Sequence, residues 1–476
     1  MLENKSVKET ISLIKSREIS VKEVVQFYLE RIYKYNQSLN AIISKVDEKK
    51  ILDEANEKDK KKNLNENKQS LFGLPMAVKE FFDVDGLKTS YCLDEFKNKI
   101  PKKNSLIVDR LKKNGAIIIG KTNMPELAIG SHTTNSIFGS TSNAYDYSKS
   151  AGGSSGGAAV AVATNLVPFA DGTDMMGSVR NPASFANIYG FRPTPGLIPE
   201  DRSSVINQNT MPILSTTGCL ARTPNEISIL LDSIKGKSSL DSLSFDIKES
   251  FQKVEFKDSE ISNLKIAWLA DMNGKYNIEN GILEMCETSL NYIEKNKFKI
   301  EYFKTKIDTD ILWESWTSLR AKNLYDDFNK MNIKNISDLG LQARWEYEKG
   351  KKISDEIIDH SLEQRNSILN EVNKIFDKFD FLVMPSAQLF PFDKNLINPE
   401  KINEYKLDTY HRYMEVMILS AILELPTVSV PTGFNKDGLP MGMQIIANKR
   451  QDLKAIAFAK KYEEIFDHSK IKPKLN

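Results

Sequence analysis

The chain has 476 residues, 40% of them apolar and 27% charged, and its formal net charge is +2. This is ample material for a core within one large globular unit, and the interspersed acids and bases argue against a nucleic-acid partner or a membrane-surface face. Cys92, Cys219 and Cys286 are far apart and show no metal spacing, so they read as reduced thiols of a cytoplasmic protein.

The N-terminal MLENKSVKET is too polar for a signal peptide. The most apolar C-terminal run, Val416 to Pro431, is broken by Glu424 and Pro426, so no membrane span is predicted. Residues 5 to 35 read as two helices. The second opens on a Ser20-x-x-Glu23 capping box, with Val21, Val24, Val25, Tyr28, Leu29 and Ile32 following at helical spacing. Asp47 to Lys62 reads as a charged, solvated helix leading into a polar loop, Asn63 to Ser70.

Gly73 to Asp83 contains Lys79, preceded by Pro75, Met76, Ala77 and Val78 and followed closely by Phe81 and Phe82. Lysine is ordinarily a surface charge. An apolar setting suits one that must lose its proton, because a free ammonium titrates near roughly 10.4 and desolvation lowers that value. Leu106 to Leu111 reads as helical and Ala116 to Ile119 as a short buried strand. Lys121 is assigned a structural or surface role, and His132 the role of a hydrogen-bonded loop residue. None of the histidines has a companion acid in a motif, which makes a Ser-His-Asp triad the poorer explanation.

Ser150 to Gly196 is the segment densest in small residues and hydroxyls. Gly152, Gly153, Gly156 and Gly157 bracket Ser154 and Ser155. Ala158 to Ala163 reads as a buried helix opening from that loop, its N–H groups and positive end beside the serines. After the apolar run Leu166 to Ala170, Ser178 falls in a second turn-like stretch. A phosphate cradle lacks the expected Gly-Lys-Ser/Thr, and a linker does not run into a dense apolar helix. Two loops with exposed serines, joined by a packed helix and strand, point to a nucleophile site.

Thr223, Pro224 and Glu226 start a helix as cap, first position and capping-box partner. Ser238 to Glu260 reads as loop, Leu264 to Asp271 as strand, and 276 to 376 as mainly helical. In that last section Trp313, Trp316, Tyr325 and Phe328 are either pocket lining or plain core. Phe379 to Ser386, Pro426 to Gly433 and Gly438 to Ala447 read as strands, the last two joined by a turn through Asn435 to Gly438. A final helix is capped by Asp452, with Leu453, Ile456, Ala457 and Lys460 along one side. Helices alternating with short apolar strands indicate an α/β fold.

Three motifs, in order, carry a resemblance. They are Pro75-Met76-Ala77-Val78-Lys79-Glu80, the GGSSGG loop, and Gly172-Thr173-Asp174-Met175-Met176-Gly177-Ser178-Val179-Arg180-Asn181-Pro182-Ala183, with Gly190 to Gly196 following as G-x-x-P-T-x-G. Together they resemble the amidase signature family, and the resemblance covers most of the chain. It implies one domain over 1–476: a signature core at about 70–235, a variable helical substrate-pocket section at about 236–376, and C-terminal strands and helix at 377–476. The implied fold is a mixed central β-sheet covered by helices on both faces.

The same resemblance implies a catalytic Lys79, Ser154 and Ser178, with the serines twenty-four positions apart, and a cis Gly153–Ser154 peptide. Ser178 would attack an amide carbonyl, and Ser154 would relay its proton to neutral Lys79, since a hydroxyl can donate and accept at once. Backbone N–H groups of Met175, Met176, Gly177 and Ser178 would form the oxyanion hole, with Gly153, Ser155, Asp174 and Arg180 in support. No metal or cofactor is implied. The expected partner is a small-molecule amide, and a homodimer stays open.

Where most members have Gly-Gly-Ser, this chain has Met176-Gly177-Ser178. That variant resembles a subset acting on aryl amides and cyclic nylon oligomers. Two alternatives stand: the glutaminase subunit of a tRNA-dependent amidotransferase, and a small-molecule binding relative that has lost catalysis.

Overall fold

The structure is a computed structural model that describes residues 2–61, 69–202 and 211–475. Most of the loop expected at 63 to 70 lies outside these residues.

Local capping sets the N-terminal elements. Ser6 and Glu9 close the first turn of α1 (Val7–Ser16), Ser20 and Glu23 that of α2 (Val21–Leu39), each as a reciprocal capping box. After β1 (Ile42–Ile43), Asp47 caps α3 (Glu48–Asp59). Next come β2 (Pro75–Lys79), α4 (Leu106–Lys113) and β3 (Ile117–Thr122). The order β1-β3-β2 forms a small sheet of its own, with β2 parallel to β3 and Lys79 opposite Thr122. Lys79 therefore ends a strand outside the main sheet.

The serine-rich segment supplies α5 (Gly156–Ala163), β4 (Phe169–Asp174), α6 (Arg180–Phe185) and β5 (Tyr189–Arg192), followed by β6 (Thr216–Ala221) and α7 (Pro224–Ile234). Every residue of α5 is buried, and the helix packs on β2 of the small sheet and on β4 and β6 of the large one. Small residues make that approach feasible. A Cβ on Gly157 would lie 2.4 Å from Asn123 N and 2.6 Å from Ala41 O.

The variable section begins with α8 (Asp258–Ile261), β7 (Lys265–Trp268), α9 (Ile282–Lys295) and β8 (Lys299–Tyr302). Three helices follow: α10 (Thr309–Met331), α11 (Leu341–Gly350) and α12 (Asp355–Phe376). The chain closes with β9 (Phe381–Pro385), the hairpin β10 (Lys401–Ile402) and β11 (Tyr405–Lys406), α13 (Ile418–Ile422), β12 (Thr427–Phe434), β13 (Pro440–Ala447) and α14 (Asp452–Ile465).

The eight-stranded sheet runs β4-β6-β5-β12-β13-β9-β7-β8, antiparallel from β4 to β9 and parallel through β7 and β8. Strands β4, β5, β6, β9 and β13 are buried at every residue, as expected of a sheet with helices on both faces. Edge strand β8 instead exposes Lys299 and Glu301, charges that oppose pairing with another chain. The expected fold class holds: one α/β unit around a mixed sheet. Among the described residues no helix is long and apolar enough to cross a membrane.

The structure refines three local readings. Strand β8 falls inside the section read as helical, because two apolar residues in a charged run left no period to recognise. Asp452 is the first residue of α14 and does not cap it. Its carboxylate accepts from Thr194 N (2.8 Å) and Thr194 Oγ1 (2.7 Å). Of the two roles read for Lys121, structural and surface, the first holds: it is fully buried, donating to Phe82 O at 2.7 Å and to Thr89 Oγ1, 3.7 Å from Glu80 Oε2.

Candidate active site

The GGSSGG loop is held from several sides. Thr133 N donates to Gly152 O (2.9 Å), Gly153 N to Asn181 Oδ1 (3.1 Å) and Gly156 N to Thr133 Oγ1 (3.0 Å). His132 serves the same loop. Its Nε2 contacts Lys394 O (2.9 Å), which makes that nitrogen the donor, so Nδ1 accepts from Ser150 Oγ (2.8 Å). Burial lowers His132 to about 4, which leaves the ring neutral. Between Gly153 and Ser154 the peptide is cis.

Lys79 Nζ reaches into this loop. It donates to Ser154 Oγ (2.7 Å), Ser155 Oγ (2.9 Å) and Thr173 Oγ1 (2.8 Å), and the backbone N–H of Lys79 donates to Asp171 Oδ2 (3.0 Å). Lys79, Ser154, Ser155 and Ser178 are all buried, so the expectation of exposed serines is overturned. Burial brings Lys79 down to about 7 against the opposing attraction of Asp171 and Asp174. Burial also raises Asp171, to about 6.

Ser178 sits in the turn between β4 and α6, where its carbonyl accepts from Ser155 N (3.0 Å). Asp174 organises that turn. Arg180 pairs with it bidentately (Nε–Oδ2 3.0 Å, Nη2–Oδ1 2.9 Å), and its carboxylate also accepts from Gly177 N (2.9 Å) and Val179 N (3.1 Å). Burial alone would raise Asp174, but Arg180 and Arg192 outweigh it and bring the group to about 2. Because the Gly177 amide is engaged by Asp174, it drops out of the expected oxyanion set, which leaves Met175, Met176 and Ser178. The left-handed conformation of the turn falls on Gly177 (φ 83°). Met176 is not among the described residues with positive φ, so position 176 does not require glycine.

Ser154, Thr173 and Ser178 open onto a cavity of about 460 Å³. Its apolar lining includes Phe81, Tyr91, Leu127, Met175, Met176, Leu324, Phe328 and Met331, and its polar lining includes Arg320 and His411. A larger recess of about 780 Å³ around Phe390 to Lys406 contains none of these residues, so the candidate site lies at the smaller cavity. Of the four aromatics singled out in the sequence, Phe328 lines the cavity, while Trp313 and Trp316 belong to the core. The sequence reading missed Thr173, Asp171, Arg320 and His411. Only Thr173 carried a local signal, lying within the same motif as Ser178.

The sequence matches the family described as Amidase over residues 23–455. The chain belongs to the amidase signature family. Its members hydrolyse carbon–nitrogen bonds of amides, and the chain is an amidase in that sense. It is 30% identical to a glutamyl-tRNA(Gln) amidotransferase subunit of Thermoanaerobacter pseudethanolicus, over 96% of each chain. It is 27% identical to an acylamidase of Rhodococcus erythropolis, over 98% of this chain and 97% of the other. The crystal structure of a bacterial aryl acylamidase superposes with a TM-score of 0.88 at 25% identity, covering 98% of this chain and 97% of that one.

Proposed function

We propose that this amidase acts through an acyl intermediate on Ser178, with Ser154 as proton relay and Lys79 as base. The observation that carries the reading is the 2.7 Å contact from Lys79 Nζ to Ser154 Oγ in a buried site that holds the lysine at about 7. A base titrating there is half neutral at physiological pH, where a free lysine is almost wholly charged.

Ser178 Oγ attacks the carbonyl while its proton passes to Ser154, whose own proton passes to Lys79 Nζ. Amides of Met175, Met176 and Ser178 stabilise the oxyanion. As the carbon–nitrogen bond breaks, the proton returns by the same path to the leaving nitrogen, and water then hydrolyses the ester. Ser155 and Thr173 hold the ammonium of the intermediate state, and Asp174 with Arg180 fixes the nucleophile's turn. The section at about 236–376 shapes the pocket through α10, which brings Arg320, Leu324 and Phe328 to the cavity.

A second reading, the glutaminase subunit of a tRNA-dependent amidotransferase, is favoured by the 30% identity to one such protein. A panel of aryl, alkyl and cyclic amides assayed on the isolated chain, alongside glutamine with and without partner subunits, separates the two. Turnover of simple amides alone supports the first reading, and turnover of glutamine only with partners supports the second. A Ser178→Ala variant that still hydrolyses amides removes both.

A further inference from the structure

Arg320 lines the same cavity as Ser154 and Ser178, yet the proposed mechanism gives it no part. It is 5% exposed and firmly held. Its Nε donates to Glu346 Oε1 (2.8 Å) and its Nη2 to the Tyr410 hydroxyl (3.1 Å), while Tyr410 donates to the same Glu346 oxygen (2.5 Å). The remaining contact is of a different kind: Nη1 donates to Met175 Sδ at 3.0 Å. A thioether is a weak acceptor, and a buried guanidinium N–H is poorly served by one.

Beside it, His411 lines the same cavity at 3% exposure. Its ring is set by Trp313, Trp345 and Tyr410, with centroids 5.0, 5.3 and 4.5 Å away. Among the described residues neither ring nitrogen has a hydrogen-bond partner. Burial, together with Arg320, Lys349 and Arg412, keeps the ring neutral, so it holds one donor and one acceptor. One patch of the wall thus carries two polar side chains whose hydrogen-bonding capacity is poorly used.

We infer that Arg320 is a specificity-determining residue whose Nη1 receives a substrate carbonyl outside the scissile amide, displacing the Met175 thioether, with His411 meeting the same unit. The inference rests on the amidase reading above and adds a substrate class: amides that carry a second, uncharged carbonyl group, such as a second carboxamide. The preference for an uncharged group follows from the surroundings. Glu346 balances Arg320, Asp327 lies 3.6 Å from Lys330, Arg202 pairs with Glu200 and Glu415 with Arg412, so a carboxylate meets no unpaired guanidinium there. Because Met175 also offers its amide to the oxyanion set, occupancy at Arg320 acts on the reacting end through one residue.

The test uses anilides of equal acyl length that end in a carboxamide, a carboxylate or a methyl group, and a mirrored set bearing those groups on the amine side. Arg320→Gln leaves Glu346 buried without its counter-charge, so the Arg320→Gln/Glu346→Gln pair is prepared as well, with thermal melts reporting folding. Loss of the Met175 contact slows all substrates to some degree, and the ratio of kcat/KM between carboxamide and methyl forms is therefore the readout. Wild type is expected to prefer the carboxamide, and both variants to lose about 10- to 100-fold of that preference, chiefly in KM. His411→Phe, which keeps the ring packing, is expected to lose a few-fold. An unchanged ratio, an equal fall for all three endings, or a wild-type preference for the carboxylate overturns the inference. Fluorophosphonate labelling of Ser178 keeps the two levels apart: labelling with an unchanged ratio overturns this inference alone, and absence of labelling overturns the reading beneath it.

Discussion

Lys79 Nζ lies 2.7 Å from Ser154 Oγ, and the two residues reach that separation from different parts of the fold. Lys79 ends β2 in the three-stranded sheet, whereas Ser154 precedes α5, which packs on both sheets. The lysine is consequently enclosed where water cannot stabilise an ammonium, and its protonation state is the first measurable consequence.

The rate should therefore follow Lys79. For an uncharged amide, kcat/KM should rise with pH through about 7 and level off above it, as the lysine becomes neutral. Lys79→Arg, which stays charged, should be inactive at every pH. Asp171 and Asp174 both favour the ammonium, so Asp171→Asn should move the rising limb to lower pH. A limb that stays in place, or moves upward, contradicts the assignment of that limb to Lys79.

The three hydroxyls around Lys79 should not be equal. Ser154→Ala cuts the base off from the nucleophile and should slow acylation by roughly 10²- to 10⁴-fold, the range of general-base catalysis. Ser155→Ala and Thr173→Val each remove one acceptor from the ammonium and should cost roughly tenfold. Single-turnover acylation rates measure this order. If Ser155→Ala proves the more damaging, the relay belongs to Ser155.

How far the sequence reached depends on the range of the interaction. Ser20 with Glu23, and Thr223 with Glu226, act three residues apart, and both capping boxes were legible. The GGSSGG loop and the segment around Ser178 were legible for the same reason: their chemistry is written in consecutive residues. Asp452 stands where a cap is expected, but its partner Thr194 is 258 positions away and wins the carboxylate. Burial of Ser154 and Lys121 comes from segments distant in the chain, Lys79 against the one and Phe82 and Thr89 against the other, which no local pattern encodes. Arg320, Glu346 and Tyr410 come from three separate elements, so their cluster was invisible.

Asp174 and Arg180 should govern acid stability. Asp174 has a folded value of about 2 against an ordinary 3.8, so it contributes stability above the unfolded value that is lost as pH falls through about 2. That amounts to on the order of 2 kcal/mol. Arg180→Met leaves the buried carboxylate with Arg192 at 3.6 Å as its remaining ion-pair partner among the described residues, and should cost roughly 3–5 kcal/mol near neutral pH. Thermal melts across pH 2 to 7 test both statements. An Arg180→Met protein that melts with the wild type at pH 7 shows that the ion pair does not hold the turn.

Met176 should set the width of the acyl site. It lines the cavity at 4% exposure, directly before Gly177, whose positive φ makes the turn. A Cβ on Gly177 would lie 2.6 Å from Met417 Cγ, so glycine is fixed there while position 176 is free to vary. Met176→Gly should enlarge the cavity without disturbing Gly177, and should raise the relative rate on bulkier acyl groups. It also adds backbone freedom beside the oxyanion donors, so the absolute rate on the smallest amides should fall. The two effects separate in a series of anilides with lengthening acyl chains. A uniform drop across the series means that Met176 only stiffens the loop, and a shift in preference with chain size means that its side chain sets the width of the acyl site.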